Sequence, residues 1–326
     1  MTSCKTTKPA SPSWKPVNNS ASPQICFFQK LKNHQAFLWL PVFLLTACSG
    51  ARMTSPAIRR HYSEGEVMKY KLTLNYTQNG QPAYVSISHA VITVKKTADN
   101  IFYESVQWTH QEKDGAETSL SPESRNVRQL VSLDPAFKLS IPDLSKIIPF
   151  IEPITDTLTF YADLQLAIRR GMRLEAGQRL YVSHGKPNSW AGGSTLVGRD
   201  CIDFELTISD VDKEHNCAYL RVRHLPPPGG CGEPPAAWMK KPVSDTPNNW
   251  YQVTKTGETA YTAAAAKEIF DDEIKISLTD GRILSASQTN PVIGEQRLCR
   301  DAALTDCEKP EKFTIERSLF FSPDAD

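Results

Sequence analysis

The sequence predicts a mainly β protein, a curved antiparallel sheet or partial barrel with a helical insertion around residues 143–170. Three observations carry this. Apolar and polar residues alternate with period two in runs at both ends of the chain. Asn-Gly and Asp-Gly, dipeptides suited to tight hairpin turns, join such runs at Asn79-Gly80 and Asp280-Gly281. Only the middle of the chain changes to helical spacing. Strands on either side of one helical insert bury their apolar faces most simply when the sheet bends around the helix.

The first run is Met68, Tyr70, Leu72, Leu74 and Tyr76, alternating with Lys69, Lys71, Thr73 and Asn75, the pattern of a half-buried strand. A return strand covers about Ala83–Lys95, and Ile101–Trp108 makes a third beyond the turn residues Thr97–Asn100. From Ile141 to Gly171 the spacing is helical, with Pro142, Pro149 and Pro153 breaking it into pieces. Asp156 is placed to cap a helix carrying Leu158, Tyr161, Leu164 and Ile168 on one side. Arg169 and Arg170 suit its last turn, and Gly171 suits the position just past its end. The helix is expected to pack on the sheet; a mobile lid is the alternative.

Strands resume near Gln178–Val182. Ile202, Phe204, Leu206 and Ile208 form one alternating run and Ala218, Leu220 and Val222 another, paired as a hairpin across the polar turn Asp210–His215. Residues 225–249 form a Pro-rich loop with seven prolines. Tyr261–Phe270 is Ala-rich and reads as a short helix or a strand extension. Ile274, Ile276 and Leu278 lead through the Asp280-Gly281 turn to Ile283 and Leu284, and the last strand is about Phe313–Phe321. One antiparallel domain is expected over residues 64–322, without internal repeats.

A different kind of segment precedes this body. Lys30, Lys32 and His34 stand before an uncharged apolar run, Ala36–Leu45. Its length suits a signal-peptide core and falls short of the roughly 20 residues of a spanning helix. Leu45-Thr46-Ala47-Cys48 closes the run. Over about residues 30–49 the chain resembles the prokaryotic lipoprotein signal family, whose acceptor motif is the lipobox. The resemblance implies a thioether-linked diacylglycerol on Cys48, cleavage before it by signal peptidase II, and acylation of the new amino terminus. Several acyl chains anchor stably where one is marginal. Ser49 resembles the residue that accompanies sorting to the outer membrane. A plain secretory leader or an uncleaved anchor is the alternative. Residues 1–47 then read as a signal peptide with a long extension or a misassigned start, and residues 48–63 as a lipidated tether.

Charge narrows the partners. Five of the 37 basic residues, Lys5, Lys8, Lys15, Lys30 and Lys32, precede Cys48, and none of the 36 acidic residues does, so the remainder carries a net charge of −4. No basic stripe appears, which disfavours nucleic acid. An oxidising compartment makes disulfides the default for Cys201, Cys217, Cys231, Cys299 and Cys307; five thiols allow two bonds and leave one over. Cys299 and Cys307 flank a short loop and are expected to pair. Cys201 falls opposite about His224, seven residues before Cys231, while Cys217 lies at the turn end, about 23 Å from Cys201 along the strand. Cys201–Cys231 is therefore favoured, with Cys217 free; Cys217–Cys231 is the alternative. No Cys-x-x-Cys occurs, against a thioredoxin-like site or zinc ribbon.

Chemistry beyond the anchor is sparse. Asp210, Asp212 and Glu214 resemble the start of a calcium loop, but the required Gly and final Glu are replaced by His215 and Arg221, so a solvated turn is the reading. There is no Gly-x-Ser-x-Gly elbow, no His-Glu-x-x-His pair and no phosphate-cradling loop. No metal site and no cofactor are expected. Folding alone decides whether His184, His224 and Asp200 converge. Trp238 in the Pro-rich loop and Trp250 beyond it are candidate anchors for a partner or glycan; the plainer reading is an insertion packed on the sheet. The outline loosely resembles the half-barrel folds of lipoprotein carriers, with no motif to carry the likeness. The expected protein is an envelope lipoprotein held to the membrane through Cys48, more readily the outer one. It would act as a non-enzymatic binding or carrier module for a lipid, glycan or envelope protein. An anchored hydrolase with an unrecognised site, or a structural subunit of an envelope complex, are the alternatives.

Overall fold

A computed structural model of the chain describes residues 55–144, 147–185, 196–197, 202–229 and 234–324. The leader, Cys48, Asp200, Cys201 and Cys231 lie outside the described residues.

The first hairpin forms as its turn chemistry requires. Strand β1 (Val67–Gln78) reverses at Asn79-Gly80, both with positive φ (51° and 73°), into β2 (Gln81–Lys96). Such a turn matches the right-handed twist of the strands it joins. Strands β3 (Phe102–Lys113) and β4 (Ala116–Glu117) complete the meander. Helix α1 (Pro122–Asn126) starts at Ser121, whose hydroxyl accepts from the Ser124 amide, and leads to β5 (Gln129–Val131), which pairs with β3.

Helix α2 (Ile151–Arg169) begins earlier than expected, with Phe150 at its cap. Pro153 does not break it, because it sits in the first turn, where an N–H has no intrahelical acceptor. Asp156 is therefore not the cap; it lies in the second turn and is buried. The far end behaves as expected. Gly171 (φ 67°) donates to the Ile168 carbonyl and Met172 to that of Ala167, satisfying two orphan carbonyls.

The remaining strands are β6 (Arg179–Gly185), β7 (Leu196–Val197), β8 (Ile202–Asp212), β9 (Cys217–Leu225), β10 (Trp250–Lys255), β11 (Tyr261–Glu268), β12 (Phe270–Ser277), β13 (Ile283–Cys299) and β14 (Glu311–Pro323). The Ala-rich segment is thus a strand. The sheet runs β4-β3-β2-β1-β14-β13-β12-β9-β8-β6. The C-terminal strand lies between β1 and β13, with Leu74 opposite Leu319 and Gln288 opposite Leu319 on its other side. The long strand β13 pairs with β12 along its first half and with β11 along its second, so the sheet branches there.

The sheet is curved around α2 and does not close. Tyr161 of α2 donates to Glu104 on β3, while Asp163, two residues on, meets His224 on β9. Six strand spacings separate β3 from β9, about 29 Å on a flat sheet at about 4.8 Å each. A helix is only about 10–12 Å across, so both contacts require the sheet to bend. Ile154, Leu158, Phe160 and Leu164 of α2 are buried against Leu72, Leu74, Ile92, Val106, Leu206, Leu220, Ile274 and Phe321 from both halves of the sheet.

Part of the expected tether belongs to the body. Ala57 bridges Arg173, the Ile58 amide donates to the Met172 carbonyl, and Ile58 and Arg60 are buried. Arg60 is held by Glu66, six residues on, and by Glu104 and Asp280, which lie too far away in sequence to be anticipated. This segment crosses the Asp280-Gly281 turn, where the His61 amide donates to the Asp280 carbonyl at 2.7 Å. A Cβ on Gly281 (φ 71°) would fall 1.9 Å from the Arg59 carbonyl oxygen. Gly281→Ala is therefore expected to cost about 2–3 kcal/mol in urea denaturation, against about 1 kcal/mol for Gly80→Ala, whose Cβ meets nothing within 4 Å.

Candidate functional site

Two features occupy the concave face. One is an open groove and the other a sealed polar cluster under α2.

The groove, about 390 Å³, lies across β10, β11, β13, β14 and the end of β1. Alternation places it on the same face as α2. Arg317 of β14 reaches Asp156 of α2, so Ile315 and Phe313 in phase with it line the groove. Small residues lie next to its two aromatic rings. Trp250 stands opposite Ala266, and a Cβ on Gly294 would fall 2.3 Å from the Phe313 ring. The two rings meet edge to face, 6.5 Å between centroids. Gln78, Gln252 and Gln296 bring amides, and Thr254, Thr256 and Thr262 bring hydroxyls. None of the lining side chains is charged. The Ala-rich strand has small side chains on both faces for a reason. Ala264 lines the groove, while Ala263 and Ala265 pack in a second core with Ala236, Met239, Tyr251, Cys299 and Leu304.

The expected loop anchors are separated. Trp250 lines the groove, whereas Trp238 packs on the second core. Its indole N–H donates to the Leu304 carbonyl at 3.2 Å, and Arg297 stacks over its ring at 4.4 Å. The Pro-rich loop is here an insertion packed on the sheet, through a 3-10 turn at Ala237–Lys240. Cys299 and Cys307 are disulfide-bonded at the base of the loop before β14. Cys217 is a free, buried thiol. The β8–β9 register pairs Phe204 with His224, three residues from the expected Cys201, because the turn lies beyond Asp212, which pairs with Cys217, and the shift between Ile208 and Asp210 brings the partner only one residue back.

The sealed cluster arises because α2 carries polar residues where it meets the sheet. The Nη2 atom of Arg317 donates to both carboxylate oxygens of Asp156, at 2.8 and 2.9 Å. Glu104 accepts from Tyr161 and lies 3.5 Å from Arg60; burial pushes its carboxyl up. His224 Nε2 lies 2.9 and 3.0 Å from the two oxygens of Asp163. Its ring is fixed between Phe204 and Phe270 on the neighbouring strands. Asp272 and Gln288 complete this group. Burial pushes Asp163 up to about 7 and lowers His224; burial and the neighbouring Asp163 push Asp272 up further.

His224 enters this cluster, and Asp200, weighed with it from sequence, lies outside the described residues. The side chain of His184 lies outside the described residues. Asp163, Asp272 and Gln288 were missed, and the sheet residues carried a signal. Asp272 is in phase with Ile274 and Ile276, His224 with Leu220 and Val222, and Gln288 with Ala286 and Val292. A polar residue at an inward position of an alternating strand marks a buried polar contact.

No family model matches the chain, and no curated protein matches it. Among solved structures, a lipovitellin structure concerned with lipid–protein interactions is similar at 10% identity and a TM-score of 0.41, over 81% of this chain. This chain spans only 26% of that one. MucB in complex with MucA(peri) aligns at 12% identity and a TM-score of 0.15, over 79% of this chain and 94% of that one. Likenesses at this level carry no functional argument.

The Asp156–Arg317 pair tests how the helix is held. Arg317→Met leaves the buried Asp156 without its cation and is expected to cost about 3–5 kcal/mol in urea denaturation. Arg317→Met combined with Asp156→Leu is expected to recover most of that loss.

Proposed function

We propose that this protein is an envelope lipoprotein, anchored through Cys48, whose folded body is a non-enzymatic binding module for a neutral, polyhydroxylated ligand of the glycan class. The groove is the observation that carries the reading. Its two aromatic rings offer faces for the apolar C–H surface of a sugar ring. Its glutamine amides each donate and accept, and its threonine hydroxyls do the same, which suits hydroxyl groups. The uncharged lining gives a phosphate, a carboxylate or an ammonium nothing to pair with. A lipid carrier needs apolar space, and α2 fills the part of the concave face that would supply it. The anchor rests on the lipobox Leu45-Thr46-Ala47-Cys48 behind its basic and apolar segments. Among the described residues, no helix is long and apolar enough to cross a membrane.

Titration of the protein with neutral oligosaccharides, followed by indole fluorescence and calorimetry, tests the groove. A saturable change is expected that Trp250→Ala and Phe313→Ala each weaken at least about tenfold, a loss of about 1.4 kcal/mol. Binding that survives both substitutions, or no binding across a glycan panel, would refute it. For the anchor, mass spectrometry of the membrane-extracted protein is expected to find an acylated amino-terminal Cys48, and Cys48→Ser to release the body from membranes. A bare Cys48 in the membrane-extracted protein would remove that part of the proposal.

A further inference from the structure

We propose that Asp163, His224 and Asp272 bind one divalent transition-metal ion in the core of the domain, with Gln288 as an adjoining oxygen donor. The inference is independent of the groove.

The first observation is geometric. One ligand atom from each of the three residues lies within 4.8 Å of the other two. Donors on a common ion at about 2.0–2.2 Å are spaced by about 3–4.4 Å, so the three converge with little adjustment. They come from three separate elements, α2, β9 and β12, and His224 is aimed by the phenylalanines on either side of it.

The second observation is unmet bonding capacity. Both oxygens of Asp272, Nδ1 of His224 and both amide atoms of Gln288 are buried without a well-formed hydrogen bond; Asp272 has only poorly aligned contacts with the Gln288 amide and the Asp163 carboxyl. Gln288 is 1% exposed, and its amide lies against Asp272. Native interiors leave few polar atoms unpaired, and five at one spot need a common cause. An ion held by Asp272 and by the Gln288 carbonyl accounts for the oxygens among them.

The third observation is charge. Asp163 and Asp272 are 1% and 0% exposed, and among the described residues neither forms an ion pair with a Lys or Arg. Arg317 of β14, which reaches α2, is held by Asp156. Two carboxyl groups side by side in a core stay ionised only beside compensating positive charge. A divalent cation supplies two charges and makes the site neutral. On binding, His224 ligates through Nε2 as the neutral imidazole with its one ring proton on Nδ1, and any proton held between the two carboxyl groups passes to solvent.

Two carboxylates with one imidazole suit a borderline ion such as Zn²⁺ or Mn²⁺ better than a soft one. The site is enclosed, so the ion would be structural, captured during folding and tying α2 to β9 and β12.

Elemental analysis of the chain purified without chelator is the direct test, with about one zinc or manganese per chain expected. Protein refolded in the presence of Zn²⁺ or Mn²⁺ is expected to melt about 5 °C or more above protein refolded in EDTA. His224→Ala and Asp272→Asn are expected to lose both the metal and the gain. The competing arrangement is a shared proton between the two carboxyl groups, and it predicts the reverse for Asp272→Asn, which would then melt above the parent. That result would overturn the proposal. So would metal below about a tenth of an equivalent with no response to either ion.

Discussion

The placement of α2 in the bend of the sheet is the constraint on which the rest of the structure depends. One helix touches β3 through Tyr161 and β9 through Asp163, and these strands are six places apart in the sheet. The sheet therefore cannot be flat, and the helix cannot slide without breaking contacts on both sides. Apolar burial of Ile154, Leu158, Phe160 and Leu164 supplies the driving force for packing. That force is non-directional, and many rotations of a helix would bury similar area.

Polar contacts restrict the choice. Asp156 meets Arg317, Tyr161 meets Glu104, and Asp163 meets His224, each on a different strand. A rotation or a one-turn shift would bury these groups without partners, at a cost comparable to a large part of a domain's stability. The inward polar residues thus act on uniqueness more than on net stability. The same low-dielectric setting pushes Glu104 toward its protonated form despite Arg60, and does the same to Asp163.

The helix also divides the concave face. Over most of it, α2 replaces any ligand. Beyond the helix, β10, β11 and the ends of β13 and β14 continue the sheet, and their inward residues change character, from large aliphatic to Gly, Ala, Gln and Thr under Trp250 and Phe313. Behind this part, the Pro-rich loop, Trp238 and the Cys299–Cys307 disulfide form a second small core that stiffens the strands from the convex side. The uncharged, aromatic-lined groove proposed for binding is built on strands, which hold side chains more firmly than loops do.

Local rules in the sequence determined the mainly β class, the Asn79-Gly80 and Asp280-Gly281 turns, the Gly171 end of the helix and the Cys299–Cys307 closure. Each depends on residues within a few positions of one another, where alternation, positive φ and short loop closure act directly. Tertiary structure alone decided the rest. The insertion of β14 between β1 and β13 joins residues about as far apart as Leu74 and Leu319, and no periodicity encodes which edges meet. Asp156 reads as a cap from its neighbours, but burial of the first turn at Phe150 starts the helix earlier and leaves Asp156 for Arg317. Trp238 and Trp250 look alike in sequence, yet successive faces of the sheet send one to the second core and the other to the groove. Phase along a strand tells that His224, Asp272 and Gln288 point inward; the order and register of β9, β12 and β13, with Asp272 opposite Gln288, bring them together, and a linear pattern does not contain which strands are neighbours.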